Sequence, residues 1–350
     1  MNFEQFIDEV KNSIKDYLPE EFQDAQIELH KHEKLNESYL GMTIRKENQT
    51  VAPTINLNKF YNQYSDFEKD ELPFVFEEMA DIIQQEPIKV DLKPLMNYES
   101  AKDKLFIRVS DADRNSEYLE NMPHRRVENL AITYHIMASA SEGEIGSAPI
   151  TNQMLKTYGI TEEQLHQDAL ENSPKLFPAK VESISTIMEK MMREDMRQSR
   201  MSDEQIDSMI EEMGISNPNP LTVVTNDQQM NGAAVIFYPG QMDEIGKSVK
   251  GDFFILPSST HEVLILPDDG GMTYQDLKAM VMEVNSTQVM PEERLADEVY
   301  HYDAKDRVFE RAGAFEDRQK IKAQELGGNK DVNIGQPGHK PKHKSHDMSL

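Results

Sequence analysis

Between Leu221 and Val284 the chain runs through one local pattern twice, and no other feature restricts its fold as strongly. Leu221 to Thr225 and Ala233 to Tyr238 are short runs rich in β-branched, aromatic and small apolar residues, on either side of the turn-forming stretch Asn226 to Gly232. They predict a hairpin. Gln241 to Lys250 predicts a short helix closed by Gly251. Phe253 to Leu256 and Glu262 to Leu266 predict a second hairpin, and Thr273 to Val284 a second helix. The order ββαββα favours a mostly antiparallel sheet with helices packed on one face. Its core is expected from Val223, Val235, Phe237, Phe254, Leu256, Val263 and Ile265 on one side of the strands. Leu277, Met280, Val281 and Val284 form the helical stripe that covers them.

The rest of the chain arranges itself around this C-terminal unit, residues 216–310. Residues 2–18 carry Phe3, Phe6, Ile7, Val10 and Ile14 at helical spacing, and Pro19 stops the helix. Three strand-like runs follow, around Ile27 and Leu29, at Tyr39 to Arg45 and at Thr54 to Leu57; they predict a meander. Asp66 to Gln85 predicts a helix with the stripe Phe74, Val75, Met79, Ile82 and Ile83. The first unit, 1–95, therefore reads αβββα. The mixed middle, 96–215, holds strands at Leu105 to Val109 and Leu130 to Met137 and a turn at Gly143 and Gly146. A helical pair then starts at Thr151, breaks at Gly159 and is ended by Pro174 and Pro178; Thr161 and Gln164 have capping-box spacing. A Met-rich helical insertion closes the middle. Residues 311–350 are expected to form a disordered basic tail. The stretch 320–350 has six Lys against three acids, and Gly327-Gly328, Pro337 and Pro341 leave no apolar face to bury. The fold class is α+β.

Thirty-seven Lys and Arg against 63 Asp and Glu give a net charge of −26. Phosphate contacts need a basic surface, so direct nucleic-acid binding is not expected. The absence of cysteine rules out disulfides, thiolate metal sites and a cysteine nucleophile. The first ten residues carry acids where a signal peptide is basic, and the longest apolar run, Ala233 to Tyr238, is far below the ~18 residues a membrane helix needs. The expectation is a cytoplasmic protein that does not engage a membrane.

Several segments invite a functional reading, and each has a plainer one. Gly240 to Ser248 nearly spells a phosphate loop, but five residues separate Gly240 from Gly246-Lys247 where the motif has four, and Lys247 ends a helix instead of opening one. Asp111-Ala-Asp113-Arg-Asn115-Ser116 opens like a calcium loop yet has Ser116 at the turn glycine and Met122 at the bidentate glutamate. His30 and His32 share a strand face with no third ligand marked; His339, His343 and His346 are a weak metal trap in the tail. No metal or cofactor is expected. Ser258, Ser259, His261 and Glu262, with Asp268 beyond, are the one cluster of hydroxyl, imidazole and carboxylate, the set a hydrolase needs. No nucleophile elbow accompanies it, and a polar hairpin turn is the simpler account. Arg125 and Arg126, after His124, could hold an anion; ion pairing within the chain competes. Met188, Met191, Met192 and Met196 lie at helical spacing, with Met201, Met209 and Met213 beyond. Their flexible thioethers fill cores and also suit an adaptable partner-binding surface.

A set of strings in fixed order carries a resemblance: Ile44-Arg-Lys46, Ala52-Pro-Thr-Ile-Asn-Leu57, Pro123-His-Arg-Arg126, Asn129-Leu-Ala131, Ile150-Thr-Asn-Gln-Met154, Ala169 to Pro178, Gly251 to Ser259, His261-Glu-Val263 and Val284 to Val289. Over about residues 1–303 the chain resembles an uncharacterised bacterial family catalogued as domain of unknown function 5688; residues 195–214 look inserted. The resemblance implies a bacterial cytosolic protein of the Firmicutes kind, often on mobile elements, and transfers no catalytic residue. The expected function is that of a non-enzymatic interaction or accessory protein with a protein partner. Two alternatives stay open. One is a hydrolase near Ser258 to Glu262. The other is an acidic nucleic-acid mimic for which doublets such as Glu77-Glu78, Glu162-Glu163 and Asp268-Asp269 would stand in for phosphates.

Overall fold

In a computed structural model of the 350-residue chain, all residues are described except 48, 50, 51, 65–71, 86–92, 142–143, 215–218 and 329–350. The first unit opens with α1 (Phe3–Ser13), whose Asn2 cap and Gln5 satisfy each other's backbone N–H groups, and a 3₁₀ turn over Ile14–Tyr17 replaces the last turn expected. Strands β1 (Gln26–Lys34), β2 (Glu37–Arg45) and β3 (Thr54–Asn56) form the expected antiparallel meander. Leu57 does not extend β3; it starts α2 (Leu57–Tyr64), a helix the sequence reading missed. The next helix, α3 (Leu72–Gln84), buries Val75, Met79 and Ile83 as expected, but Phe74 is 69% exposed and leaves the stripe. Phe6, Val10, Ile14, Met42 and Ile44 pack into one core with α3.

The middle contains the short helices α4 (Lys93–Met96), α5 (Tyr98–Ala101) and α6 (Ser116–Leu119) and the strands β4 (Leu105–Asp111), β5 (His124–Val127), β6 (Leu130–Ser141) and β7 (Glu144–Pro149). They pair in the order β4-β6-β5, with β7 on β6. Next come α7 (Asn152–Tyr158), ended by Gly159 in the left-handed region (φ 68°), and α8 (Glu162–Leu176). Pro174 lies inside α8 instead of ending it.

A six-stranded antiparallel sheet, order β13-β12-β10-β11-β9-β8, takes the rest: β8 (Ala179–Ser183), β9 (Thr222–Asn226), β10 (Phe253–Leu256), β11 (Val263–Pro267), β12 (Tyr300–Asp303) and β13 (Val308–Arg311). Its helices are α9 (Ile184–Gln198), α10 (Asp203–Glu212), α11 (Gln241–Val249), α12 (Tyr274–Thr287) and α13 (Ala312–Gly328).

The hairpin of β10 and β11, α11 and α12 are as the pattern predicts. Ala233 to Tyr238 is not a strand. Residues Gly232–Phe237 form a 3₁₀ helix, and β9 pairs with β8 and β11 instead. Two local facts account for this. Gly232 passes so close to β9 that a Cβ there would lie 2.2 Å from Thr225 Oγ1 and 2.5 Å from the His261 carbonyl oxygen. Ala233 to Ile236 are buried on every side, so the run has no alternation by which a strand could be told from a helix.

The inner face of this sheet shares a core with the middle one: Ile107, Ile132 and Tyr134 meet Phe253, Ile265 and Tyr300. The outer face carries Phe254, Leu256, Leu264 and Leu266 under Leu277 and Val281 of α12. The single core face expected from Phe254, Leu256, Val263 and Ile265 therefore divides between two, since the register sets Phe254 opposite Leu266 and Ile255 opposite Ile265. Chain expected to be tail begins with α13, whose Phe315 stacks on buried His301 at 3.6 Å and whose Arg318 pairs with Asp303, Asp306 and Glu310. His339, His343 and His346 lie outside the described residues. The first unit reaches the others through the tip of its hairpin. Asn36, left-handed at φ 59°, receives its side-chain contact from Asn115 Nδ2 and donates to the carbonyls of Glu292 (3.0 Å) and Arg294 (2.8 Å).

Candidate functional site

The Met-rich segment forms a helical hairpin. Ser183 caps α9 by accepting from the Thr186 N–H, and Ser202 and Gln205 cap α10 reciprocally. Met196 is buried against Ile206 and Ile210, with Met192, Met201 and Met209 packed around them. Half the methionine pattern is thus internal packing. Met188 (48% exposed) and Met191 (67%) are on the other side of α9 and face outward.

There they form one wall of a groove of about 460 Å³. Ile184 and Ile187 extend the wall; Lys180 and Glu182 of β8, Val223 and Thr225 of β9, and Glu262 form the floor. A smaller hollow, about 50 Å³, lies between α12 and the β10–β11 hairpin and is lined by Leu256, Ser258, Leu264, Met280 and Val284. Val223 and Leu264 are direct partners across β9 and β11, so the two hollows share one sheet face and adjoin. The result is a trough floored by β11, β9 and β8, walled by α9 and α12, with half-exposed methionines on both walls. Lys180 lies 3.3 Å from Glu182, which Lys190 of α9 also contacts. These ammonium groups hold the Glu182 carboxyl below its ordinary pKa. Met280 and Val284 belong to the stripe assigned to the core in the sequence reading; a stripe wider than its helix's contact leaves its edge exposed.

The Ser258 to Glu262 segment connects β10 to β11 and scatters its polar groups. Ser258 lines the smaller hollow and Glu262 the larger. The His261 ring lies elsewhere: its Nδ1 accepts from the Asn231 N–H (3.2 Å), and its Nε2 is 3.6 Å from Glu293. Ser259 Oγ accepts from the His261 backbone N–H instead of meeting the imidazole. Asp268 bonds to His301 at 3.1 Å. The structure does not assemble these groups into a nucleophile–base pair.

Arg125 and Arg126 are each bonded to a carboxylate, of Glu163 and Asp113 respectively. Asp111 Oδ1 caps its own turn by accepting from the N–H groups of Asp113 and Arg114, so the calcium-like string is an Asx turn. Lys247 ends α11 bonded to Glu244 at 2.6 Å. His30 is 3.6 Å from Glu28, while His32 stacks on Tyr39. Among the described residues no group of three His, Asp or Glu is placed to hold a metal, and no helix is long and apolar enough to cross a membrane.

A family model described as "Family of unknown function (DUF5688)" matches residues 3–304. No curated protein and no solved structure matches the chain.

Proposed function

The chain belongs to the family of unknown function DUF5688, and from that premise we propose that it is a non-enzymatic bacterial cytoplasmic protein that binds a partner's amphipathic helix in the trough between α9 and α12. The observation that carries this reading is the unfilled lane on the outer face of the six-stranded sheet. Two strand spacings from β11 to β8 make about 10 Å, the width of one helix. On the same face α12 already covers the neighbouring strands in that way. Methionines on both walls supply polarizable, re-packable contacts to a helix of varied sequence. The chain's charge of −26 favours a basic flank on that helix. The doublets that suggest an acidic mimic sit on separate elements, and members of two are already bonded, Glu163 to Arg125 and Asp268 to His301.

Affinity capture from the native host tests the reading, with Met191→Glu and Met280→Glu variants run beside the unaltered protein. A single partner should be retained by the unaltered protein, lost by both variants, and bind the purified chain through one helical segment. Equal retention by both variants would place the contact elsewhere.

A further inference from the structure

Strand β8 is one edge of the six-stranded sheet, and its free side carries a pattern that matches itself. Pairing with β9 runs from Ala179 opposite Asn226 to Ser183 opposite Thr222. Just beyond each end the ladder is closed by a backbone bond. The Asp227 N–H donates to the Pro178 carbonyl at 3.0 Å, and the Ile184 N–H to the Leu221 carbonyl at 3.0 Å. Bonded and non-bonded pairs alternate in an antiparallel ladder, so Pro178, Lys180, Glu182 and Ile184 turn their backbone groups toward β9. The N–H and C=O groups of Ala179 and Val181, and the N–H of Ser183, therefore point out of the sheet. Among the described residues none bonds to them. Ala179 is exposed, and so is Val181, at 38%.

Charges on an edge strand ordinarily keep sheets apart. Those of β8 are one of each sign, Lys180 and Glu182, placed on either side of Val181 and both on the outer face at the trough floor. Reading the strand backwards exchanges the two signs. When two copies meet antiparallel about a two-fold axis at Val181, Lys180 of each lies directly opposite Glu182 of the other. That pair falls at a non-bonded position, where facing side chains come closest. Opposite charges directly across strengthen a sheet, and like charges there weaken it. Val181 meets its own copy: each N–H donates to the other's C=O, and the two exposed side chains cover one another on the opposite face. The Ser183 N–H of each copy reaches the Ala179 carbonyl of the other. The helix α9 stands on the face of Lys180 and Glu182, where Lys190 contacts Glu182, and leaves Ala179 and Val181 exposed.

We propose that the chain forms a two-fold dimer by pairing β8 with β8 of a second copy, which joins the two large sheets into one continuous antiparallel sheet. An isologous contact of this kind closes on itself and consumes the free edge. It does not depend on a helix being bound in the trough.

Sedimentation equilibrium of the full chain, from micromolar to submillimolar concentration, tests the dimer, and a monomer–dimer equilibrium is expected. Val181→Pro removes an N–H that β9 does not use, so the urea midpoint of the monomer should barely move. Dimerisation should weaken about tenfold or more, because the two-fold axis counts each lost bond twice. Lys180→Glu sets Glu opposite Glu182 at two symmetric places and should weaken it comparably. Adding Glu182→Lys should restore the dimer, a rescue that reciprocal pairing alone predicts; this charge exchange serves if Val181→Pro does not fold. A chain that stays monomeric at every concentration, or a dimer indifferent to the folded variants, would overturn the proposal. So would a monomeric chain that captures another protein's strand, lost with Val181→Pro and kept with Met191→Glu, since the edge would then belong to a different partner.

Discussion

Removing the hydroxyl of Tyr300 tests whether the two larger sheets fold as one body. Tyr300 is fully buried in β12, its ring stacked on Phe309 with centroids 5.1 Å apart. Its hydroxyl leaves the six-stranded sheet and donates to Asn129 Oδ1 at 2.8 Å. Asn129 in turn donates to Asp111 Oδ2 at 3.2 Å, and Asp111 holds the turn after β4. Tyr300→Phe preserves the ring and strands an acceptor on a residue only 8% exposed. Losing such a bond and leaving its partner buried costs about 1–3 kcal/mol. With a urea m-value of about 3 kcal/mol/M, the midpoint should fall by roughly 0.3–1 M. The assay is urea unfolding followed by far-ultraviolet circular dichroism. Adding Asn129→Ala should cost less in the variant than in the unaltered chain, with a coupling of about 0.5 kcal/mol or more. A midpoint change below about 0.1 M, or two resolved transitions of which one alone moves, would refute the reasoning.

Three further outcomes follow from the same packing. Phe254→Ala removes a side chain buried under α12 and should cost about 3–5 kcal/mol, while Ser258→Ala, in the turn, should stay within about 0.5 kcal/mol; urea midpoints separate them. Burial lowers the pKa of His135, and of His301 against the opposing pull of Asp268. The unfolded chain then takes up protons near pH 6.5 before the native one does, so stability should be full above that pH and fall as pH drops below it. Each histidine contributes at most about 1.4 kcal/mol per pH unit, and midpoints between pH 5 and 8 should show a slope that His135→Gln flattens. Arg318→Met deprives Asp303 and Glu310, both largely buried, of their guanidinium and should lower the midpoint by the equivalent of about 1–3 kcal/mol.

The α+β class, the N-terminal meander and the β10–β11 hairpin were legible because their signals are local: alternation, turn residues and caps. The failures have local causes as well. β8 reads Ala-Lys-Val-Glu-Ser, an edge strand with too little apolar character to register. β12 and β13 are short and carry charges; β12 becomes a strand through Phe253 and Phe254, some 50 residues away in sequence, and β13 follows by pairing with β12. α13 has no apolar stripe; a stacked ring and an arginine fork hold it instead. Of the candidate site, the methionine spacing was visible, but which methionines face inward depends on α10, and Met280 gains its place from β-sheet register.

The strand order also sets a timetable for synthesis. The meander and its helices complete their own core by Gln84, so that unit can close while most of the chain has yet to leave the ribosome. The large sheet cannot. Its inner core includes Tyr300 and Tyr302, and β12 is the strand that joins β13 to β10. Until residues near 303 emerge, β10 has an open edge and Phe253 and Ile255 lack their cover, and until residues near 311 follow, β12 has one in its turn. Domains fold as units during translation, and unpaired edges are the surfaces that aggregate. A stalled or prematurely ended chain of this protein would therefore carry one finished domain and one exposed β-edge, the form that chaperones and proteases would meet first.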